Sequence, residues 1–282
     1  MTWDPAKEWA GYVPPTRFEA YSKRYEDFFQ MRRQDGIVEA RLHTDGGPYR
    51  HSAAAHNLWA RAWQDIGNDP DNHVLIIGGT GDKWMIGDPK AINPKPASDL
   101  DPDHIFQRMM DGWKHIESFI NNIDIPTISA VNGPGVHTEF AVLCDVTLAA
   151  PDADFMDPHF WLGSPPGDGQ GMALQALMGQ KRAAYYIYGG KPIPATVALD
   201  VGIVSDIIPR EQLLQKAWDL ARFIMKRPRY ARWATHSIFS RHWKKAVAED
   251  FGFHMSQQML ANVASKSRVP NPDLLADPNN PF

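Results

Sequence analysis

The stretch IPTISAVNGPGVHTEFAVLCDVTLAA, residues 125–150, decides the fold class of this chain. Its first part is an apolar run that predicts a buried strand at 126–131, and a sharp turn follows at 132–135. A short helix is predicted at 138–143 and a second buried strand at 146–150. Strands that alternate with helices in this way favour parallel pairing, because the helix returns the chain to the edge where the first strand began.

Strand and helix patterns also alternate along the rest of the chain. Further strands are predicted at 37–42, 74–77 and 203–208. Further helices are predicted at 17–28, 52–66, 104–123, 172–178, 182–188, 195–201, 211–225 and 230–264. The chain is therefore predicted to be an α/β protein with mainly parallel pairing, and no internal repeat is visible in its sequence.

The sequence contains no linker between two segments of different amino-acid composition, so one core domain is predicted at 31–210. An N-terminal arm at 1–30 precedes it, and a helical region at 211–269 follows it. The Pro-rich tail at 270–282 is expected to be loosely held. The loop at 84–102 is long and rich in proline, and loops of this length are usually functional or disordered.

Composition excludes several classes of protein. Of the 282 residues, 43% are hydrophobic and 22% are charged, which rules out a disordered or collagen-like chain. The 29 Lys and Arg against 33 Asp and Glu leave no basic excess for nucleic acid. The single cysteine, Cys144, excludes an internal disulfide, and no H-E-x-x-H or similar pair is present, so no metal is expected. A polar N-terminus and short apolar runs lead us to expect a cytoplasmic protein without a membrane partner.

Two segments carry the functional information: VNGPGVHTEFAVLCD at 131–145 and FMDPHFWLGSPPGDG at 155–169. With I-P-T-I-S-A-V-N-G ending at Gly133 and G-x-x-P-G-x-G at 163–169, the chain resembles the crotonase, or enoyl-CoA hydratase/isomerase, superfamily over roughly 37–209. The resemblance implies a crotonase-like ββα spiral core with a helical C-terminal extension. It also implies a homotrimer or a dimer of trimers, whose C-terminal helices help to close neighbouring sites, and it implies no cofactor.

The candidate catalytic residues depart from the hydratase pattern. Typical hydratases carry two glutamates in these segments, of which one matches Glu139 and the other falls on His159. The same departures resemble the β-diketone hydrolases, typified by 6-oxocamphor hydrolase, which have histidines at the positions of His137 and His159 and an aspartate at Asp168. The resemblance implies hydrolytic cleavage of a carbon–carbon bond, a retro-Claisen reaction, with these three residues as the catalytic group.

The chemistry of such a cleavage requires residues of these types. Water adds to one carbonyl of a 1,3-diketone, and the carbon–carbon bond breaks to leave an enolate on the other. Histidine suits the role of base because its ordinary pKa is about 6.5, and a carboxylate on its second ring nitrogen fixes the tautomer. We expect Asp168 to hold His159 in this way and His137 to donate to the enolate oxygen.

Further site residues are expected around the catalytic group. Backbone N–H groups near Ile86–Gly87 and Val136–His137 fall where the superfamily usually places its oxyanion donors. Trp84 and Trp161 are candidates for the walls of an apolar pocket, and core packing is the alternative for both.

Two positions bear on the substrate rather than on the reaction. His51 and Gln258 stand where the pattern of the camphor enzyme has a tryptophan and a glutamate. A solvent-facing residue at a helix start is the alternative for His51. Simpler explanations also exist for Asp168, as a turn residue, and for Glu139, as an acid at a helix N-terminus.

Two other functions remain open. An acyl-CoA hydratase or isomerase would use Glu139 alone, although the loop at 84–89 does not support a thioester-CoA site. A non-catalytic crotonase-fold binding subunit would be favoured if His159 and Asp168 did not touch each other. The sequence leaves open whether a diketone substrate is bicyclic, monocyclic or linear.

Overall fold

The computed structural model describes residues 5–52, 54–87 and 101–264 and contains one large sheet and two small ones. In chain order the strands are β1 (Phe29–Gln34), β2 (Ile37–Leu42), β3 (Tyr49–Arg50), β4 (Val74–Gly79), β5 (Met85–Ile86), β6 (Thr127–Val131), β7 (Val146–Ala149), β8 (Asp154–Phe155), β9 (Ile193–Pro194) and β10 (Asp206–Ile207). The large sheet has the order β1-β2-β4-β6-β7-β10, and only the β1–β2 pair is antiparallel. The predicted α/β class with mainly parallel pairing is confirmed.

Helices follow or separate these strands throughout the described residues. They are α1 (Pro5–Glu8), α2 (Phe18–Arg24), α3 (Ala55–Asn68), α4 (Pro102–Asn122), α5 (Glu139–Val142), α6 (Gln170–Met178), α7 (Gln180–Gly189), α8 (Ala195–Asp200), α9 (Arg210–Met225), α10 (Arg229–Ala246) and α11 (Gly252–Ala264). Within the described ranges, none of these helices is both long enough and apolar enough to cross a membrane.

The chain repeats a unit of one long strand, one short strand and one helix. The units are β2-β3-α3, β4-β5-α4, β6-α5 with a short bridging segment at Gly135–Val136, and β7-β8-α6. The short segments pair side by side: β3 with β5, Met85 with Gly135, and Val136 with Met156. This arrangement is the ββα spiral that the sequence resemblance implies, and it was hidden in the sequence because each short strand is only about two residues long.

The first strand corrects the sequence prediction at the N-terminus. The predicted helix at 17–28 ends at Arg24, and β1 begins at Phe29 and pairs with β2 over six residues. Asp35 and Gly36 connect the two strands with φ angles of 52° and 80°, the conformation of a type I′ hairpin turn. The predicted helix failed because the segment after Arg24 is needed to reach the edge of the sheet.

The C-terminal helical segment is also interrupted. The sequence predicts one helix over 230–264, whereas α10 and α11 are separated by a turn of π-helix at Val247–Phe251. Phe251 is fully buried, and Gly252 begins α11 so close to Trp113 that a Cβ atom would lie 2.7 Å from the indole ring. The π-helical turn therefore sets the direction in which α11 leaves the core.

Helices α9 and α10 attach the C-terminal part of the chain to the sheet. Helix α9 packs on β4, β6 and β7. On α10, His236 contacts Asp145 at 2.8 Å through Nδ1 and the carbonyl of Ile123 at 2.9 Å through Nε2. Ile123 follows α4 and Asp145 precedes β7, so α10 is bound by polar contacts to two different connections of the core as well as by packing.

Helix α11 packs very closely on the loop before α6 at Gly167. A Cβ atom on Gly167 would lie 2.5 Å from the backbone oxygen of His254 and 2.6 Å from Cβ of Gln258. Real Cβ atoms do not approach neighbours this closely, so a larger residue must push the helix and the loop apart.

We therefore expect Gly167→Ala to destabilise the protein by about 1–3 kcal/mol, the usual cost of overpacking a close contact. Gly47→Ala is the matched control, because a Cβ atom there meets only the carbonyl of Thr44 at an ordinary 3.6 Å. Denaturant unfolding of both variants measures the difference. Equal free energies of unfolding for the two variants would contradict this prediction, because they would show that α11 can move away from residue 167 without loss of stability.

Candidate active site

The site lies where the short strands of successive units end. His51 follows β3, Gly87 follows β5, His137 follows the Gly135–Val136 segment, and Asp157 follows Met156 beside β8. Because these segments lie next to one another, the residue that follows each of them faces the same region. The spiral therefore brings together side chains that are far apart in the sequence.

A cavity of about 240 Å³ opens at this place. Of the residues predicted for the site, the cavity is lined by His51, Gly87, Val136, His137, His159, Asp168 and Gln258. The opposite wall is largely apolar and includes Met255, Met259 and Val263 of α11. The cavity is thus bounded by the turns of the spiral on one side and by the C-terminal helix on the other.

His159 lies between two carboxylates. Its Nδ1 atom is 2.9 Å from Oδ1 of Asp157, which also accepts a bond from the backbone N–H of His159. Its Nε2 atom is 3.2 Å from Oδ2 of Asp168. The sequence analysis placed Asp168 on the ring nitrogen that orients the imidazole, but Asp157 occupies that position and Asp168 stands on the cavity side.

The two carboxylates favour the protonated imidazole. Burial disfavours the charge on His159, but Asp168 and Asp157 outweigh it and raise the pKa of His159 to about 10. Burial raises the pKa of Asp168 to about 6, and the charge of His159 opposes this rise. At neutral pH the pair is therefore an imidazolium beside a carboxylate whose proton affinity is stronger than that of an ordinary aspartate.

His137 is held from several sides in an unusual conformation. Its φ angle is 53°, in the left-handed region, and its carbonyl accepts a bond from the indole N–H of Trp84 at 3.0 Å. Its Nδ1 atom lies 3.1 Å from Glu139, and its ring stacks on His51 with centroids 4.1 Å apart. Burial alone would lower the pKa of His137, but Glu139 and then Asp168 raise it overall. The Nε2 side of the ring is left for the cavity.

Two more histidines lie beside this group. His56 lines the cavity, and His115 stacks on it with centroids 4.6 Å apart and an angle of 8° between the rings. Burial lowers the pKa of His115 to about 4, although Nε2 of His115 lies 3.8 Å from Glu139. Neither residue was singled out in the sequence, because an isolated histidine within a helical pattern carries no signal of its own.

Several sequence predictions for the site need correction. Trp84 is fully buried and supports the backbone of His137, so it acts in the core and not as a cavity wall. Trp161 packs over Gly190, where a Cβ atom would lie 1.5 Å from its ring nitrogen, and is not among the described residues that line the cavity.

Two of the backbone groups predicted as oxyanion donors do not face the cavity. The N–H of Val136 donates to the carbonyl of Met85 at 3.2 Å, and this bond takes the group that was expected to face the substrate. The carbonyl of Ile86 accepts a bond from the N–H of His51, and Ile86 itself is not among the described lining residues. Gly87 and His137 do border the cavity, so their backbone groups are the remaining candidates.

The other predicted residues lie as follows. His51 is 1% exposed and faces the cavity, which overturns the alternative of a solvent-facing residue. Gln258 lines the cavity from α11, and its Oε1 atom is buried without a hydrogen-bond partner in the described part of the chain. Glu139 is fully buried behind His137 and does not belong to the described lining. His159 and Asp168 are in contact. A lack of contact between them would have favoured a non-catalytic binding subunit, so this contact does not support that alternative.

Fold and site together define a crotonase-fold α/β protein with a histidine- and carboxylate-lined cavity. A family model described as enoyl-CoA hydratase/isomerase matches residues 55–271. The chain belongs to the enoyl-CoA hydratase/isomerase family, which is the resemblance that the sequence analysis identified.

Comparison with solved structures finds a similar protein that is named as a hydrolase and not as a hydratase. A β-diketone hydrolase from the cyanobacterium Anabaena sp. PCC 7120, bound to (S)-3-oxocyclohexyl acetic acid, matches with a TM-score of 0.81 and 28% sequence identity. The match covers 86% of this chain and 97% of that one. The crotonase fold is therefore shared over nearly the whole of the cyanobacterial hydrolase.

Two relatives found by sequence comparison are named as enzymes that act on CoA compounds. A crotonyl-CoA hydratase of Syntrophomonas wolfei subsp. wolfei is 29% identical over 168 residues, which cover 59% of this chain and 63% of the relative. A hydroxycinnamoyl-CoA hydratase-lyase of Pseudomonas fluorescens is 29% identical over 184 residues, which cover 62% and 64%. The chain thus spans somewhat less than two thirds of these relatives, and their names alone do not assign its activity.

The position of His159 leads to a test that does not depend on a substrate. Its imidazole is expected to stay protonated on both nitrogens between about pH 6 and 8, because both carboxylates favour the cation. The stabilisation from this cation is fully present below the ordinary pKa of about 6.5 and is lost as the pH rises toward 10. Nitrogen-detected NMR of the histidine rings measures the titration.

The control for this measurement is Asp157→Asn, which removes one charge and keeps the size of the side chain. We expect the pKa of His159 to fall in this variant. A midpoint near 6.5 for His159 in the unchanged protein would contradict the geometry described above.

Proposed function

We propose that this protein is a cofactor-independent hydrolase that cleaves a carbon–carbon bond of a β-diketone. The observation that carries the proposal is His159, held between Asp157 and Asp168 and facing the same cavity as His137. This arrangement supplies a proton acceptor for water and a donor for an enolate within one enclosed space. Such a reaction needs both groups and no electron carrier.

The acceptor for the water proton in this mechanism is the carboxylate of Asp168. Both ring nitrogens of His159 carry protons when its pKa is about 10, so the imidazolium is not itself a base at neutral pH. Asp168, with a pKa of about 6, is ionised at neutral pH and close to the operating pH that general-base catalysis favours. His159 therefore acts by stabilising the charge of Asp168 and by directing its oxygen toward the cavity.

The reaction then proceeds in three steps. Asp168 takes a proton from water while the water oxygen bonds to one carbonyl carbon of the diketone. The adjacent carbon–carbon bond breaks, and its electron pair forms an enolate whose oxygen accepts a hydrogen bond from Nε2 of His137. The carbonyl re-forms as a carboxylic acid, and the proton on Asp168 passes to the enolate carbon. One water and one cyclic diketone therefore yield one keto acid, and a linear diketone yields a ketone and an acid. Donors of the kind that His137 provides are typically worth about 3–4 kcal/mol.

The relative from Anabaena supports this assignment at the level of chemistry. Its bound molecule contains a ketone and a carboxyl group, which are the two groups that hydrolysis of a cyclic 1,3-diketone produces. The hydratase alternative has less support, because Glu139 is turned toward His137 and the position of the second family glutamate holds His159. Hydration by a carboxylate pair would need both acids at the substrate.

The test of the proposal is a panel of bicyclic, monocyclic and linear 1,3-diketones, followed by loss of diketone absorbance. Asp168→Asn is expected to lower kcat by about 10²–10³ and to leave KM nearly unchanged, because the carboxylate matters only when the proton moves. Asp206→Asn on exposed β10 is the matched control and should retain full kcat.

Two results would contradict the proposal. One is full kcat in a folded Asp168→Asn variant. The other is hydration of a short enoyl-CoA by a protein that cleaves no member of the panel, which would assign the hydratase function instead.

We further propose that the protein is a homotrimer or a dimer of trimers. Large apolar side chains project from α9, α10 and α11, which leaves an apolar surface that the described residues of one chain do not cover. These residues, each more than half exposed, are Phe223, Tyr230, Trp233, Ile238, Phe239, Phe253 and Leu260.

Sedimentation equilibrium is expected to give three or six times the 31.7 kDa mass of one chain. Replacing Ile238 and Phe239 by glutamate should lower this mass, because a charged residue is costly in an apolar interface. A monomer at micromolar concentration would contradict the proposed assembly.

A further inference from the structure

The cavity lining contains a cation that the proposed mechanism does not use. Arg108 of α4 is the only Lys or Arg among the described residues that line the cavity. The other side chains that α4 and α11 contribute to this lining are mostly apolar and include Ile105, Met109, Met259 and Val263. An apolar surface suits a carbon ring, whereas a neutral diketone gives the guanidinium no role.

The position of Arg108 relative to α11 follows from the packing of the two helices. A Cβ atom on Gly252, at the start of α11, would lie 2.7 Å from the ring of Trp113. A Cβ atom on Gly112, one residue earlier in α4, would lie 3.0 Å from Cε of Met255, three residues later in α11. The two helices therefore run in opposite directions. Arg108 precedes Gly112 by about one helical turn, so it lies beside the turn of α11 that follows Met255.

Asn262 offers further donors in this part of α11. Its Oδ1 atom accepts a bond from the hydroxyl of Ser164 at 2.8 Å, which leaves its amide N–H groups for the cavity that the residue lines. The side chain of Arg108 leans toward the N-terminus of α4, which is the direction of Asn262. Two facing helices thus present N–H donors to the same space, and a carboxylate with its two oxygens is the group that such donors bind.

Arg108 is separated from the reacting groups along the axis of α4. Ile116 marks the level of Asp168, because a Cβ atom on the adjacent Gly169 would lie 2.9 Å from Cγ1 of Ile116. Ile116 follows Arg108 by eight residues, which corresponds to about 12 Å along a helix. The cavity face of α4 therefore has the carboxylate of Asp168 near one end and a guanidinium near the other.

The charge of Arg108 acts on the interior of the cavity. Burial is the main cause of the low pKa of His56, and the charges of neighbouring histidines and of Arg108 lower it further. Burial also lowers the pKa of Arg108, although a guanidinium stays protonated at neutral pH. Arg108 has other interactions within the chain, but a guanidinium with five N–H donors can bind a ligand as well.

We propose that the diketone substrate carries a carboxylate, which Arg108 and Asn262 bind while the carbonyls lie at His137 and Asp168. The inference rests on the proposed function and adds the substrate class to it. Attraction to Arg108 and repulsion from Asp168 favour one orientation of an acidic substrate, with its carboxylate away from the carbon–carbon bond that breaks. The carboxylate therefore positions the substrate and takes no part in the chemical steps.

Matched pairs of substrates test the role of the charge. They are 2-methylcyclohexane-1,3-diones with an acetate, butanoate or hexanoate side chain on C2, each paired with its neutral primary amide. The quaternary C2 atom prevents enolisation between the carbonyls, so only the side chains differ in charge. At the best chain length, kcat/KM for the acid is expected to exceed that for the amide by about 10–100-fold, because hydrogen bonds between charged groups are the strong ones. Chromatography of the keto acid products measures both rates.

Variants of α4 assign the preference to one residue. Arg108→Met is expected to bring the ratio of the two kcat/KM values close to one, and Arg108→Gln replaces it if circular dichroism shows that the first variant is unfolded. Lys114→Met is the matched control and should keep the ratio, because Lys114 is an exposed cation of the same helix outside the described lining. Equal values for acid and amide in the unchanged protein would overturn the proposal. A preference that persists without Arg108, or that is also lost in Lys114→Met, would overturn it as well.

Binding without turnover separates this inference from the proposed reaction. Cyclohexanebutanoate and its amide contain no diketone, and calorimetry measures their dissociation constants in each variant. Binding of the acid at least about 10-fold more tightly than the amide, lost in Arg108→Met, supports the carboxylate site even if no diketone is cleaved. Cleavage of the neutral diketones without any preference for the acids would support the reaction and overturn the carboxylate site.

Discussion

Two backbone pairings hold the whole site together, that of Met85 with Gly135 and that of Val136 with Met156. Parallel neighbours in a sheet lie about 4.8 Å apart, and this distance fixes how close the next residues come. His137 follows the first pairing by two residues, and Asp157 follows the second by one. The stacking of His137 on His51, which follows β3 beside β5, and the position of Asp157 at His159 both depend on this spacing. The shortest strands of the fold therefore position two of the histidines of the cavity.

The same spacing concentrates ionisable groups away from water. Asp157, Asp168 and Glu139 are buried with two imidazoles, and buried charges are tolerated only where they are paired. His159 is shared by two of the carboxylates, and His137 contacts the third. Asp168 and Asp157 raise the pKa of His159 to about 10, and Glu139 raises the pKa of His137, so the carboxylates favour hydrogen-bond donors on the cavity side.

The sequence was sufficient for the larger features and for part of the site. Alternating patterns predicted the parallel sheet, and two short segments were enough to bring His137, His159 and Asp168 together. Asp157 was missed although it stands two residues before His159, because a contact over two residues depends on the local turn and not on periodicity. The β1 strand was missed for a similar reason: FQMRRQ is a polar edge strand, and only the Asp35–Gly36 turn indicated a hairpin. Trp84 was proposed as a cavity wall because the sequence does not distinguish a tryptophan that packs in the core from one that lines a cavity. None of these details can be obtained without the three-dimensional pairing of the short segments.

The cavity has walls from two separate parts of the chain. The reacting groups come from the turns of the spiral, whereas Met255, Gln258 and Met259 come from α11, which meets the loop before α6 at Gly167 and through the bond from Ser164 to Asn262. A change on the inner face of α11 alters the shape offered to a substrate and replaces none of the histidines and carboxylates of the spiral. The spiral therefore carries the reacting groups, and α11 carries much of the surface that selects the substrate. Related chains can come to accept different molecules through changes in this one helix.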